Sequence, residues 1–402
     1  MDLSLAVAAN TNTPPNQLQK MAETAIEMLK RRFPGINLIG LDEQLKQSLP
    51  ESIICLAIAQ NPNTSPETLL RLAWVFPLQV LYSPVMPLLL LEEEDFLYRL
   101  YQYCPDVLRL ERLPNFVLNW AANHHNATLR VNLANSWYTS QVLLERLSRD
   151  SSVLVRCAVA ANPNTPLHCV ETLSQDQSVQ VRRAIFRQRL LPDFLARFAK
   201  DKSYQVRQDV ASHSNTPIYC LEQLAADANS SVRASVANNL RTPILWVRRL
   251  AHDVATRVRI QVLRRRGLPS DILEMLAQDH HEDVRAVAAA NPAISVELLE
   301  KLSRDRYPHV CAAVASNSKT PISILNTLAQ RQHHRICAAL AGNPNASPDI
   351  LRHLSQHKSS WVRAEVAKNL KTDLDILQSL SHDQDHTVRY YAQHSLSEKQ
   401  KK

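Results

Sequence analysis

Arginine recurs in this sequence at a nearly constant interval, and aspartate precedes it at a constant spacing. The arginines are 26 residues apart, except for one step of 25, and Cys311 and Cys337 stand at the two positions without arginine. Guanidinium and carboxylate groups at fixed spacing could form charge-assisted hydrogen bonds or perform acid–base chemistry. The arginines are Arg130, Arg156, Arg182, Arg207, Arg233, Arg259, Arg285, Arg363 and Arg389, and the aspartates are Asp150, Asp176, Asp201, Asp227, Asp253, Asp279 and Asp383.

The repetition of this pair favours architecture over catalysis. An active site needs its groups once, whereas the aspartate–arginine spacing of six residues occurs in seven copies. We expect each aspartate to lie in the turn that closes one unit and to pair across that turn with the arginine of the next unit.

A 26-residue period indicates one small supersecondary unit copied in tandem, and therefore a solenoid. In the unit that starts at Val155, Val155 and Val159 share one face of a first helix, because they are four residues apart. Asn162-Pro163 ends this helix, since the residue before a proline avoids the α conformation. The sequence therefore predicts an all-α fold of tandem 26-residue helix-turn-helix repeats.

The second helix of the unit begins after Thr165-Pro166, which we expect to be a hydroxyl N-cap followed by a proline in the first turn. Paired apolar residues three apart, such as Val170 and Leu173, recur in this helix. Each helix is too short to be stable alone, so stacked copies must bury the Val and Leu rows together.

The phrase VAANPNTP with its Leu-rich second helix resembles the leucine-rich repeat variant family, a relative of the HEAT-like solenoids, most strongly over residues 114–396. The resemblance implies a right-handed α-solenoid, a right-handed superhelix of helix pairs. Some members carry a cysteine-ligated iron–sulfur cluster in a separate N-terminal segment. This sequence has no such cysteine cluster, so no cofactor is expected. The predicted regions are 1–52, an N-terminal helical region with an interrupted first repeat; 53–113, irregular repeats with an acidic-aromatic segment; 114–396, regular repeats; and 397–402, a charged tail.

Arginines that lie outside the periodic positions are concentrated in loops. Because equivalent loops of a solenoid stack along one edge, these side chains are expected to line a shared basic strip that could grip phosphates. A solvated loop surface is the alternative explanation. The candidate strip for an anion or nucleic acid consists of Arg187, Arg189, Arg241, Arg248, Arg249, Arg264, Arg265 and Arg266.

The segment LLLLEEEDFLYRLYQYCPD differs from the repeats and combines acidic with aromatic residues. It could be a docking face for a protein, or a longer helix that shields the end of the stack. The candidate docking residues are Glu92, Glu93, Glu94, Phe96 and Tyr98.

Cysteine and histidine give no metal or redox signal. Four cysteines replace the periodic arginine, which favours small buried hydrophobes, and the adjacent histidine pairs have no third ligand at a fixed spacing. Seven cysteines without a CxxC pair predict a reducing, cytoplasmic environment. No stretch is long and apolar enough for a membrane helix, and the start has no secretory signal pattern.

Charge is divided unevenly along the chain. Residues 1–125 carry 9 Lys+Arg against 13 Asp+Glu, a net charge of −4, and the remainder carries 37 against 25, a net charge of +12. With no nucleophile–base pair or phosphate-binding loop, we expect a non-enzymatic interaction scaffold with a protein partner. Nucleic-acid binding through the arginine-rich strip between residues 187 and 266 is the alternative. The sequence does not indicate an oligomeric state.

Overall fold

The computed structural model describes residues 2–34, 48–188 and 192–400, and these residues form helices joined by short turns without a β-strand. The chain divides into two compact units, 1–190 and 191–402. No helix in the described ranges is long and apolar enough to cross a membrane.

The first unit begins with helices that differ in length and ends with regular pairs. Its helices are α1 Asp2–Ala9, α2 Pro15–Arg32, α3 Pro50–Gln60, α4 Pro66–Ala73, α5 Pro77–Leu81, α6 Met86–Glu92, α7 Phe96–Tyr103, a 3₁₀ helix Pro105–Arg109, α8 Asn115–Asn123, α9 Ala127–Asn135, α10 Gln141–Leu147, α11 Val153–Ala161, α12 Leu167–Leu173, α13 Val179–Ala184 and a 3₁₀ helix Ile185–Arg187.

The second unit consists of regular pairs of short helices. Its helices are α14 Pro192–Phe198, α15 Tyr204–Ser212, α16 Ile218–Leu224, α17 Ser230–Asn238, α18 Ile244–Leu250, α19 Thr256–Leu263, α20 Ser270–Leu276, α21 Glu282–Ala289, α22 Val296–Ser303, α23 Pro308–Ser316, α24 Ile322–Ala329, α25 His334–Gly342, α26 Pro348–Leu354, α27 Ser360–Lys368, α28 Leu374–Leu380 and α29 His386–Gln400.

Within each unit, the first helix of a repeat packs on the first helix of the next. In the second unit α15, α17, α19, α21, α23, α25, α27 and α29 pack in this sequence, and in the first unit α9, α11 and α13 do so. Val155 and Val159 are fully buried, as are Val206 and Val210 at the equivalent positions. The predicted Val and Leu rows therefore form the core, and the all-α tandem-repeat fold is confirmed.

The turn between the two helices of a repeat differs from the expected cap. Pro166 is itself the N-cap residue of α12, and the Thr165 hydroxyl donates instead to the carbonyl of Val159 in the preceding helix at 2.6 Å. The same bond joins Thr242 to Val236 at 2.6 Å. The predicted threonine N-cap is wrong, because the buried hydroxyl satisfies a carbonyl that the helix end leaves without a partner. Serine is the cap where it precedes the second helix, as at Ser347, whose Oγ accepts from the N–H of Ile350.

The turn between the first two helices contains the same threonine–carbonyl bond, whereas the last helix is longer than those of the regular repeats. Thr13 donates to the carbonyl of Val7 at 2.6 Å, so the turn between α1 and α2 repeats the bond seen in the regular copies. At the other end, α29 continues through Gln400 into the predicted charged tail, and Lys399 donates to the carbonyl of Thr372 at 2.6 Å.

Candidate interaction surfaces

The periodic arginines lie on first helices, and seven of them bond to both ends of their own repeat. Arg233 Nε donates to Asp253 Oδ2 at 2.6 Å, and its Nη2 donates to Asp253 Oδ1 at 2.8 Å. Its Nη1 donates to the carbonyls of Asp227 and Ala228 at 2.7 and 3.1 Å. The same carboxylate pairing joins Arg130 to Asp150, Arg156 to Asp176, Arg207 to Asp227, Arg259 to Asp279, Arg285 to Asp305 and Arg363 to Asp383.

The carboxylate that pairs with each arginine differs from the predicted one, although the pair still has a structural role. The arginine takes the carboxylate of the aspartate 20 residues later, and takes only the backbone carbonyl of the aspartate six residues earlier. Each aspartate thus accepts from two successive arginines, one at its carboxylate and one at its carbonyl. The resulting series of bonds, here called the Asp–Arg ladder, links one repeat to the next.

The ladder keeps its carboxylates ionised. Burial alone would raise the pKa of Asp253, but the hydrogen bonds from Arg233 and from the N–H of Ala255, with the charges of Arg233 and Arg259, hold that pKa below its ordinary value. An aspartate that stays ionised and bonded on both oxygens is a poor proton donor or acceptor. Its contacts are those of a structural ion pair.

A second series of bonds lies at the turn after each first helix. Asn343 Nδ2 donates to the carbonyls of Ala315 and Asn317 in the preceding repeat, at 2.6 and 2.9 Å. Its Oδ1 accepts from the N–H of Asn345. Asn61, Asn162, Asn239, Asn317 and Asn369 make equivalent inter-repeat bonds, here called the Asn ladder.

Arg265 replaces asparagine in this ladder and must be removed from the candidate basic strip. Its guanidinium donates to the carbonyls of Asn239, Leu240 and Thr242 in the preceding turn. Burial lowers the pKa of Arg265 from its ordinary value. The side chain points into the stack because those carbonyls need donors, so it is not available to an external phosphate.

The other members of the strip have different surroundings. Arg248 forms an ion pair with Asp271, and the Arg249 guanidinium lies 4.6 Å from the centre of the Trp246 ring. Arg241, Arg264 and Arg266 are exposed in the second unit, whereas Arg187 is exposed in the first. Arg189 lies outside the described residues.

A polar groove opens beside Arg241 on the first helices α15, α17 and α19. Its volume is about 400 Å³, and Arg257 lines it together with Ser231, Ser235 and Asn238. Arg257 Nη1 donates to Ser231 Oγ at 2.8 Å. This groove was not predicted from the sequence, although Arg257, Gln261 and Arg264 replace smaller or uncharged residues on one helix face.

An apolar patch lies at the start of the neighbouring second helices α16 and α18. Tyr219 and Leu245 are each 58% exposed, and the preceding residues Ile218 and Ile244 are also exposed. The position of Leu245 is acidic in four of the five later repeats, as at Asp271, and is Ser323 in the other. We call Ile218, Tyr219, Ile244 and Leu245 the second-helix patch.

The structure exposes only part of the acidic-aromatic segment that was predicted as a docking face. Phe96, the first residue of α7, is fully buried in the core, so its assignment to a docking surface is wrong. Tyr98 is half-buried and stacks on His124, with ring centres 5.4 Å apart. Glu93 pairs with Arg99 at 2.7 Å, whereas Glu92 and Glu94 are exposed.

The cysteines show no geometry of a reactive or metal site. Burial, with the charge of Glu51 as a smaller cause, raises the pKa of Cys55 to about 12, which keeps this thiol protonated. Cys311 and Cys337 are buried, as expected of small hydrophobes at the arginine position. No group of three or more His, Cys, Asp or Glu residues in the described ranges could hold a metal ion.

Tandem helix pairs, a continuous Val core and two ladders between successive repeats define an α-solenoid of the repeat-protein class. The sequence model of the "Leucine rich repeat variant" matches residues 153–178, and that of the "Leucine Rich Repeat Variant domain" matches residues 310–370. Residues 153–178 and 310–370 are therefore similar to leucine-rich repeat variant repeats.

Two solved structures are similar to the chain at low identity. One, described as "a leucine-rich repeat variant with a novel repetitive protein structural motif", is 21% identical, with a TM-score of 0.35 over 65% of this chain and 87% of that chain. The other, a structure of the Pds5–Scc1 complex, is 13% identical, with a TM-score of 0.24 over 97% of this chain and 64% of that chain. At such TM-scores neither similarity extends to function. No curated protein matches the chain.

Proposed function

We propose that this protein is a non-enzymatic interaction scaffold whose second-helix patch binds a protein partner. The observation that carries this proposal is the exposure of Tyr219 and Leu245, each 58%, side by side on equivalent positions of adjacent repeats. Clustered exposed apolar and aromatic side chains are typical of protein-binding surfaces.

Among the described second helices of the regular repeats, only α16 and α18 are apolar at both of these positions, whereas the ladders are shared by most repeats. Later copies carry Asp271, Glu297 or Asp349 where α18 carries Leu245. A neighbouring Arg249 lies over Trp246, and Tyr, Trp and Arg are the residues enriched where binding energy concentrates. A partner with an apolar anchor and acidic residues around it has the complementary chemistry.

The test compares wild-type protein with a Tyr219→Asp/Leu245→Asp variant in capture from a nuclease-treated native extract. The captured partner is then purified and its affinity measured. We expect the variant to bind at least about thirtyfold more weakly, the effect of losing a central apolar anchor worth about 2 kcal/mol. Aspartate is native at the position of Asp271, so the fold should tolerate the change.

The matched control is Val296→Asp, which introduces a charge at the exposed start of another second helix. It should leave binding unchanged. A partner that binds wild type and the patch variant equally would contradict the proposal, as would the absence of any specific partner of wild type.

Nucleic-acid binding is the second candidate function. It is favoured by the arginines that remain exposed after Arg248, Arg249 and Arg265 are assigned to internal contacts, namely Arg241, Arg264 and Arg266. A weak, salt-sensitive association with phosphates is the expected behaviour of such a surface.

A further inference from the structure

We propose that the polar groove on α15, α17 and α19 binds the sugar–phosphate backbone of a single-stranded nucleic acid. This inference rests on the second candidate function and assigns it a site. The groove is distinct from the predicted loop strip, because its floor is made by first helices and one of its two cations, Arg257, lies outside that strip.

The two cations stand at opposite ends of the groove. Arg257, near the start of α19, reaches Ser231 near the start of α17, whereas Arg241 follows the end of α17. Seven helical steps separate Ser231 from Asn238, about 10 Å at a rise of 1.5 Å per residue, and Arg241 lies three residues beyond the end of the helix. An extended polyanion that follows α17 therefore meets a guanidinium at each end.

The surface between the cations is neutral and rich in hydrogen-bonding groups. Ser235 and Asn238 line it, and their side chains bond to no other residue in the described ranges. No acidic residue is among the described residues that line the groove; Asp209 of α15 is not part of the lining. Hydroxyl and amide groups can donate to phosphate oxygens and exchange hydrogen bonds with sugar hydroxyls, and nearby carboxylates would repel the ligand.

The lining favours nucleic acid over an acidic peptide. Ala234 and Leu240 are its only apolar members among the described residues, so the groove offers no pocket for the side-chain anchors on which peptide recognition depends. A volume of about 400 Å³ also suits a short length of single strand and is too small to enclose a duplex.

The expected affinity is modest and depends on salt. No aromatic side chain lines the groove, so base stacking, worth about 1–3 kcal/mol per base elsewhere, does not contribute. Two phosphate contacts give a slope of about −1.4 in log affinity against log salt for a single strand. The affinity should therefore fall about sevenfold between 50 and 200 mM salt.

The experiment measures fluorescence anisotropy of labelled 12-mer oligouridylate and oligothymidylate with the full chain. Wild type should bind both at 50 mM salt with the slope given above, and Arg241→Gln/Arg257→Gln should lose at least tenfold in affinity and most of the slope. Stronger binding of the RNA would indicate that the hydroxyl and amide side chains contact the 2′-OH, and equal binding would indicate recognition of phosphates alone; both agree with the proposal.

A charge-matched control is Lys301→Gln/Arg304→Gln, which removes two exposed cations in α22 and the turn after it. It should retain wild-type binding. The proposal is overturned if wild type does not bind at 50 mM salt, if the control loses as much affinity, or if a 12-residue polyglutamate or a duplex binds as tightly.

One further variant tests whether a nucleic acid binds at the groove or at the loop that contains Arg264 and Arg266. Loss of binding in Arg264→Gln/Arg266→Gln, with Arg241→Gln/Arg257→Gln unaffected, would move nucleic-acid binding to the loop and reject the groove. Capture of a protein by the second-helix patch should not change in any of these arginine variants, so failure of one proposal leaves the other testable.

Discussion

Two stretches of the second unit stack their repeats in the same way but link them with different side chains. From Arg207 to Asp305 every repeat carries the bidentate Arg–Asp pair. In the next two repeats Cys311 and Cys337 replace arginine, and Arg331 and His357 stand where aspartate would be. The Asp–Arg ladder resumes at Arg363 and Asp383.

In the stretch without Arg–Asp pairs, other side chains donate hydrogen bonds to the backbone carbonyls. Arg331 Nη1 reaches back to donate to the carbonyl of Asp305 at 2.8 Å and to Cys311 Sγ at 3.0 Å. The Asn ladder continues without a break through Asn317, Asn343 and Asn369. The comparison shows that the stack tolerates loss of one ladder while the Val core and the other ladder persist.

The largest expected effect comes from breaking the intact stretch. Arg233→Met removes the partner of the buried Asp253 carboxylate and the donor to the carbonyl of Asp227. We expect a loss of about 3 kcal/mol in the free energy of unfolding, because an uncompensated buried charge remains. Urea denaturation measures it. Arg304→Met, which breaks an exposed pair with Glu300, is the control and should change stability by less than about 0.5 kcal/mol; equal losses would contradict the structural role of the ladder.

In the interrupted stretch, Asn343→Ala should cost about 2 kcal/mol. The substitution leaves the buried carbonyls of Ala315 and Asn317 without a donor where no Asp–Arg pair supports the repeat. Thermal denaturation of this variant is compared with Asn345→Ala, whose exposed amide bonds only to the carbonyl of Ser318. Similar melting temperatures for the two variants would show that the Asn ladder contributes little.

Introducing an Arg–Asp pair at positions 311 and 331 should restore the Asp–Arg ladder in that repeat. Cys311→Arg or Arg331→Asp alone introduces a charge without its partner, whereas the double variant recreates the arrangement seen at Arg285 and Asp305. A double-mutant cycle in urea should give a favourable coupling energy of about 1 kcal/mol or more. Additive effects of the two substitutions would reject the equivalence of the positions.

Much of the fold could be predicted from the sequence, because its determinants are local and periodic. The Val and Leu rows and the turn at Asn162-Pro163 follow from spacing alone. The carboxylate partner of each arginine could not, since the spacings of 6 and 20 residues both recur and only the stacking geometry decides between them. Arg265 was misassigned because a charged side chain in an exposed loop gave no sign of the carbonyls beneath it.

The candidate surfaces were less accessible to sequence reasoning. Phe96 follows four acidic residues, but helix orientation places it in the core. The patch at Tyr219 and Leu245 is visible in the sequence only as a departure from the polar residues of other copies, and the groove at Arg257 requires three helices to be placed side by side.

The smallest expected effect is a pH dependence at histidines whose ring accepts a backbone N–H at the start of a first helix. Nδ1 of His333 and of His357 accepts from the N–H two residues later, and burial, with nearby positive charge, lowers both pKa values. Folding therefore favours the neutral form: this stability is complete above the unfolded pKa of about 6.5 and is lost as the pH falls below it. Urea midpoints at pH 7.5 and 5.5 should differ less in His357→Asn, which keeps an acceptor that does not titrate, than in wild type; an unchanged difference would exclude His357.

Amide hydrogen exchange of the native protein tests most directly whether the ladders hold the repeats together. We predict that α17 and α19, whose periodic arginines Arg233 and Arg259 form Arg–Asp pairs, exchange more slowly than α23 and α25, where cysteine replaces the periodic arginine. Equal protection of the two pairs of helices, or faster exchange in α17 and α19, would contradict the account.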